Sequence, residues 1–202
     1  MQIVLATHNR GKMKEMSSIL AHLPVNLLTL DDFPQIGEIP ETGETLKENA
    51  FIKAETVHQK TGLPALADDT GLEVDALDGA PGVHSSRYDG ETATFEDNCR
   101  KMLQEMDGIP SEERTARFHT VIAFVSDSGN EWTEGMVEGR ILEKKQGDGG
   151  FGYDPLFYYP PLKKTFAELN SEQKNNISHR GKALRNFCQI LEKRIVTNNS
   201  QT

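Results

Sequence analysis

This sequence has no long hydrophobic run, no excess of basic charge and almost no cysteine. No segment approaches the roughly 18 consecutive apolar residues of a membrane-spanning helix, and Met1-Gln2-Ile3-Val4-Leu5-Ala6 is too short for the apolar region of a signal peptide. The formal net charge of −9 argues against a broad surface for polymeric nucleic acid, because binding along a phosphate backbone rests on a basic footprint. Cys99 and Cys188 are too far apart for a metal-ligand spacing and form no disulfide framework, so they read as two buried thiols in a reducing compartment. These absences predict a cytoplasmic protein with no membrane and no nucleic-acid polymer as partner. A small phosphate ligand in a local cationic pocket stays open. With 202 residues, 36% hydrophobic and 26% charged, and no repeat or low-complexity linker, the chain can bury a substantial core as one domain or two closely joined lobes.

What is present is concentrated in a few polar stretches set between apolar ones. Ile3 to Ala6 reads as a strand running into Thr7-His8-Asn9-Arg10-Gly11-Lys12, after which Met13, Met16, Ile19, Leu20 and Leu23 recur at helical spacing. Backbone N–H groups at such a helix start suit a phosphate, and Lys12 adds a full charge. The first glycine of a P-loop and the Ser/Thr after its lysine are missing, so a Walker A motif is rejected. Taken alone, the stretch is equally an ordinary strand-to-helix turn. Val25 to Leu30 is a second strand. Past a loop with Pro34, Gly37 and Pro40, Glu41 stands before a helix whose Thr45 and Glu48 fit a capping box. The inner face of that helix (Leu46, Ala50, Lys53, Ala54, Val57) is apolar except for Lys53.

In Ala65-Leu66-Ala67-Asp68-Asp69-Thr70-Gly71 an apolar run meets two adjacent carboxylates. A buried strand has no use for such a pair, so the strand is expected to open into a site there, where acids can hold magnesium. Leu72 to Leu77 then alternates like a separate, half-exposed strand, and Asp78 to Tyr88 reads as an irregular loop. Thr94 caps an amphipathic helix through Phe95, Cys99, Met102, Leu103 and Met106. Arg114 to Ser126 and Asn130 to Lys145 read as a long hairpin, with Gly135 and Gly139 marking bends or bulges. Gly147 to Asp154 packs glycines around Phe151 and Tyr153, which can stack on a planar base or tuck into the core. Short helical turns are expected at Lys163 to Leu169 and Glu172 to Ile177. Ser178 caps a last helix with Leu184, Phe187, Cys188, Leu191 and Ile195 inward. His179 and Arg180 in its first turn oppose the helix dipole, which favours a ligand role over a structural one. The tail 197–202 reads as frayed.

Together these segments resemble the inosine/xanthosine triphosphate pyrophosphatase family. Six stretches occur in that family's order over residues 3 to 195: Ala6 to Lys12; Glu41-Thr42-Gly43 and Glu48-Asn49-Ala50 with Lys53; Ala67 to Gly71; Gly79 to Gly82 with Ser86-Arg87-Tyr88; Gly149 to Pro155; and Ile177 to Gly181. The resemblance implies an α/β fold in which a long central mixed sheet is flanked by helices. It further implies one domain of two lobes (1–202) with an active-site cleft between them, and a homodimer. Asp69 matches the general base and a metal carboxylate; Glu41, with Asp68 in support, matches the Mg²⁺ site, which Mn²⁺ can also fill. Thr7, His8, Asn9, Arg10, Gly11, Lys12, Lys53 and Lys174 match triphosphate binders. Thr70, Phe151, Gly152, Tyr153, Asp154, His179 and Arg180 match the groups that hold the nucleoside and read its base. Many relatives carry Ser at position 70 and a small residue at position 8.

The implied reaction is attack of water at the α-phosphorus of XTP, ITP or dITP, giving the monophosphate and pyrophosphate. A pyrophosphatase for other modified nucleotides and a non-catalytic nucleotide-binding regulator are the rival readings.

Overall fold

The structure is a computed structural model that describes residues 1–199. Eight strands and five helices follow one another as β1 (Gln2–Leu5), α1 (Arg10–Leu20), β2 (Asn26–Thr29), α2 (Leu46–Thr61), β3 (Ala65–Val74), β4 (Pro81–Gly82), α3 (Phe95–Glu105), β5 (Thr115–Val125), β6 (Glu131–Ile141), β7 (Phe157–Tyr159), β8 (Lys164–Thr165), α4 (Ser171–Ile177) and α5 (His179–Asn199). The strands form one sheet in the order β2-β1-β3-β5-β6-β7-β8, with β4 also paired to β3. β1 is parallel to β2 and to β3, with Leu5 opposite Leu66. β4 is antiparallel to β3, and β7 is antiparallel to β6 and β8, so the sheet is mixed. That is the expected α/β class.

The chain falls into two compact units. The first comprises Met1–Asp69, Thr120–Gly135 and the segment from His179 on; the second comprises Thr70–His119 and Met136–Ser178. In the first, Ile3, Leu5, Leu66, Ile122 and Phe124 pack against Met16 and Leu20 of α1 and Leu184, Phe187 and Leu191 of α5. In the second, Leu72, Val74, Phe118, Val137 and Phe157 pack with Cys99 and Met102 of α3 and with Phe166; the Phe118 and Phe157 ring centroids are 4.6 Å apart. Each buried aromatic or aliphatic side chain contributes roughly 1.5–3 kcal/mol through removal of apolar surface from water. Cys99 and Cys188 are buried free thiols, as expected.

Local chemistry explains the helix ends. Asn9 Oδ1 accepts from Lys12 N at 3.1 Å, so Arg10, Gly11 and Lys12 form the first turn of α1 rather than a loop before it. Thr45 and Glu48 form the expected capping box, and α2 stops at Gly62, whose φ of 69° suits the left-handed C-terminal position. Thr94 caps α3 together with Asp97.

Four expectations are corrected. The strand does not end at the acidic pair: β3 is one ten-residue strand that continues through Asp68, Asp69, Thr70 and Gly71 to Val74, and of the strand read over Leu72 to Leu77 only the first three residues belong to it, Asp75–Leu77 forming a 3₁₀ turn. The acids are tolerated mid-strand because cations meet both of them, as the site below shows. Gly135 and Gly139 mark no bulge, since the inside-outside alternation of β6 runs unbroken through both. They are needed for close approach instead. A Cβ on Gly135 would lie 2.2 Å from His179 O, and one on Gly139 2.6 Å from the Phe157 ring. Lys163 to Leu169 contains strand β8 followed by a single 3₁₀ turn, Phe166–Glu168. Finally, of the tail expected to fray, 197–199 continue α5, and the last three residues lie outside the described ones.

Candidate active site

In the first unit the acidic pair sits at the centre of a charge cluster. Successive side chains of a strand point to opposite faces. Leu66 belongs to the core under α1 and α5; Asp68, two residues on, shares that face, and Asp69 takes the other, toward α2. Asp68 is fully buried. Its Oδ2 accepts from Arg180 Nε at 3.0 Å and Nη2 at 2.9 Å, and its Oδ1 lies 3.3 Å from Lys12 Nζ. Arg180 turns its other amino group to Glu15 on α1. On the α2 side, Lys53 Nζ donates to Glu41 Oε1 at 2.7 Å and to Asp69 Oδ1 at 2.8 Å.

Three cations (Lys12, Lys53, Arg180) therefore meet four carboxylates (Glu15, Glu41, Asp68, Asp69). With all groups ionised the cluster carries one excess negative charge. The titration behaviour of each member follows from that balance. Burial pushes the Asp68 carboxyl up, but Lys12, Arg180 and Lys53 outweigh it and hold the group well below the usual carboxylate range. Burial pushes Asp69 up and Glu41 adds to the effect, against the pull of Lys53 and Lys12; Asp69 ends at about 6. For Glu41 burial also acts upward, yet Lys53 and Lys12 carry it below its ordinary value. Burial depresses Lys12, with Lys53 and Arg180 acting in the same sense, while burial of Lys53 is overridden by Asp69 and Glu41, which raise it. Of Glu41, Asp68 and Asp69, Asp69 is thus the one that holds its proton most firmly.

A divalent cation fits this donor set. Asp69 Oδ2 is buried and meets no hydrogen-bond partner, an arrangement that disfavours a bare carboxylate and suits one that accepts a cation. Among the described residues no group of three or more His, Cys, Asp and Glu is arranged as a metal site. The protein would then supply two carboxylates, Glu41 and Asp69. Two carboxylates would leave most of a divalent cation's shell to water and phosphate oxygens.

The remaining predicted residues of the first unit divide. Thr7 accepts from Asn9 N at 3.1 Å and shapes the turn before α1; His8 is exposed, with Nε2 3.4 Å from Gly37 O, and Arg10 is exposed. His179 and Arg180 are both buried. The dipole argument had favoured a ligand for Arg180, but Asp68 and Glu15 offset the unfavourable placement of a cation at the start of α5. Glu15 was missed in the sequence, where it reads as one more polar residue of α1. Its three-residue offset from Lys12, on one helix face, was the available signal.

In the second unit, Asp154 Oδ2 accepts from Phe151 N at 2.8 Å and from Lys174 Nζ at 2.5 Å, and Lys174 Nζ lies 4.5 Å from the Phe151 ring centroid. Lys174, Phe151 and Asp154 are thus brought together. Tyr153 is buried and its hydroxyl donates to Ser85 O at 3.0 Å, so its ring is part of the core and does not serve as an open stacking platform. The glycines are explained by close packing: a Cβ on Gly149 would meet Ala167 O at 2.8 Å, and Gly150, at φ 72°, leaves no room beside Asp154 Oδ2. Thr70, the first residue of this unit, is half-buried.

Residues 3–190 match the model of the Ham1 family. The chain belongs to the Ham1 family. A dITP/XTP pyrophosphatase of Geobacter sulfurreducens is 52% identical over 184 residues, covering 91% of this chain and 92% of that protein, and one of Desulforamulus reducens is 50% identical over 194 residues, covering 96% of each. The Ham1 protein of Coxiella burnetii aligns with a TM-score of 0.86 at 43% identity over 96% of this chain and 99% of its own. A nucleoside-triphosphatase / dITP/XTP pyrophosphatase of Mycobacterium abscessus aligns at 0.73 and 40% identity, covering 93% and 98%. The buried cluster around Asp68 and Asp69 is thus part of a Ham1 protein matched along nearly its whole length.

Proposed function

We propose that this Ham1 protein hydrolyses deaminated purine nucleoside triphosphates (XTP, ITP and dITP) to the monophosphate and pyrophosphate. The named activity of its relatives supports the reading, and one observation carries it to this chain. Asp69 holds a buried carboxylate oxygen that meets no hydrogen-bond partner, beside Lys53 and the second carboxylate that Lys53 binds, Glu41. A carboxylate oxygen left free in this way can accept the proton that an attacking water gives up.

Asp69 takes a proton from the water that attacks the α-phosphorus; the new P–O bond forms as the bond to the pyrophosphate oxygen breaks. Lys12 and Lys53 take up the charge that moves onto the departing pyrophosphate, and Lys174 adds to the triphosphate contacts. Mg²⁺, held by Glu41 and Asp69, supplies neutralisation of phosphate oxygens. This matters because a triphosphate brings about four negative charges to a cluster that is already one carboxylate in excess. Asp68 serves as the anchor that fixes Lys12 and Arg180, in support of the metal carboxylates. The amides of the first turn of α1, with Thr7 and Asn9, receive phosphate oxygens. His179, Arg180, Thr70 and the segment Phe151 to Asp154 hold the nucleoside, and donors there favour the 6-oxo group of hypoxanthine and xanthine over the amino group of adenine.

The protein acts as a homodimer of one two-lobed domain in the cytoplasm, without a nucleic-acid or membrane partner. Asp69→Asn tests the assignment: the variant folds and binds nucleotide but releases pyrophosphate several orders of magnitude more slowly. Normal turnover by that variant refutes it. Nucleotide binding without pyrophosphate release by the wild type would support a regulator in its place.

A further inference from the structure

Asn49 is wholly buried, and its Nδ2 meets no hydrogen-bond partner. A buried, half-satisfied amide costs stability that an apolar side chain of similar volume would not. The side-chain hydrogen bond that Asn49 does make points to what offsets that cost: Oδ1 accepts from Gly43 N at 2.7 Å, reaching back across six residues to the segment that bears Glu41. The preceding residue of α2 does the same for the following amides, since Glu48 Oε2 accepts from Glu44 N at 2.7 Å and Thr45 N at 3.1 Å. One turn after Asn49, Lys53 binds the Glu41 carboxylate itself. The first turns of α2 thus grip the Glu41 segment by its backbone and by its side chain.

Gly43 is the complementary half of the grip. A Cβ there would lie 2.6 Å from Glu48 Cβ, 2.8 Å from Asn49 Oδ1 and 3.0 Å from Asn49 N, so only glycine lets the segment come this close.

We propose that the Gly43–Asn49 hook is a positioning device for the Glu41 carboxylate, holding it opposite Asp69 so that both can take the same divalent cation. Asn49 touches neither substrate nor metal; it acts through the backbone of Gly43. The inference rests on the reading of Glu41 as a metal carboxylate. Residues that orient a metal ligand from behind commonly change metal affinity by about 10–100-fold when removed.

The test is calorimetric binding of the α,β-methylene analogue of ITP, which resists cleavage, in EDTA and in saturating Mg²⁺. The ratio of the two dissociation constants is the metal's share of affinity. For Asn49→Ala and Gly43→Ala that ratio is expected to fall about tenfold or more, with affinity in EDTA close to that of the wild type. The double variant is expected to lose no more than the worse single one, because both act on one hook. Thermal unfolding shows which variants are folded, and Gly43→Ala carries the test if Asn49→Ala does not fold. A wild-type ratio in the folded variants, or additive losses in the double variant, overturns the hook. Glu41→Gln separates the two readings: if it keeps the wild-type ratio, Glu41 is not a metal carboxylate and the underlying reading falls. If it loses the ratio while the hook variants keep it, the hook alone falls.

Discussion

Asp68 and Asp69 are adjacent in one strand, yet they face opposite sides of the sheet and live in opposite electrostatic conditions. Asp68 is gripped by Arg180 and Lys12 and held well below the usual carboxylate range, whereas Asp69 shares Lys53 with Glu41 and lies at about 6. The strand's two-residue period separates an anchor from a base within a single dipeptide.

Replacement of Asp69 should therefore trade activity for stability. A carboxyl raised in the folded state binds its proton more tightly there than in the unfolded chain. Its contribution thus falls as pH rises through the window from 3.8 to about 6 and is least favourable above it. Asp69→Asn, a neutral isostere, should raise the unfolding temperature in metal-free buffer at pH 7–8 by several degrees, corresponding to at most about 3 kcal/mol. The gain should shrink toward pH 4. Thermal unfolding of both proteins across pH, in EDTA, measures it.

Asp68 has the reverse sign. Its depressed value means that the stabilisation is fully present above the unfolded-chain value of about 3.9 and is lost as pH falls through the lower folded-state value. Asp68→Asn should cost about 3–5 kcal/mol at pH 7, since it leaves Arg180 buried with one carboxylate partner fewer. Denaturant unfolding at pH 7 reads the loss directly.

Arg180→Ala should cost stability of similar size, whatever it does to nucleotide binding, because it takes one cation from both Asp68 and Glu15. Arg180→Lys should recover little, since one ammonium cannot reproduce the pair of bonds to Asp68 Oδ2 together with the bond to Glu15. Chemical denaturation of the two variants side by side gives the comparison.

In the second unit, Gly150→Ala should cost about 1–3 kcal/mol. Its φ is 72°, and the added methyl carbon would come within 2.2 Å of Asp154 Oδ2, the oxygen that accepts from both Phe151 N and Lys174. Loss of the Lys174 contact should also weaken nucleotide binding, seen as a raised KM with kcat less affected.

Much of this was legible in the chain itself. Thr45 with Glu48 and Thr94 as caps, and Lys53 as a buried cation on the mostly apolar face of α2, follow from local rules that the structure obeys; the buried Asn49 on the same face was not read. The misreadings share a cause. Asp68 and Asp69 seemed to end a strand, and Arg180 seemed to lack a structural partner, because each was judged without groups that lie far away in sequence. Arg180 stands 112 residues from Asp68 and 165 from Glu15. A buried charge is explained by its counter-charge, and no periodicity reports which distant residue supplies it. The bulge reading of Gly135 and Gly139 failed for the same reason: a bulge and a tight contact leave the same letter in the sequence, and packing against His179 and Phe157 distinguishes them.

The most direct test of the central claim is pyrophosphate release from ITP, dITP, XTP, ATP and GTP, each with Mg²⁺ and with EDTA. The account predicts kcat/KM for the first three about a hundredfold or more above that for ATP and GTP, and loss of activity in EDTA. Equal kcat/KM for ITP and ATP, or undiminished release in EDTA, would contradict it.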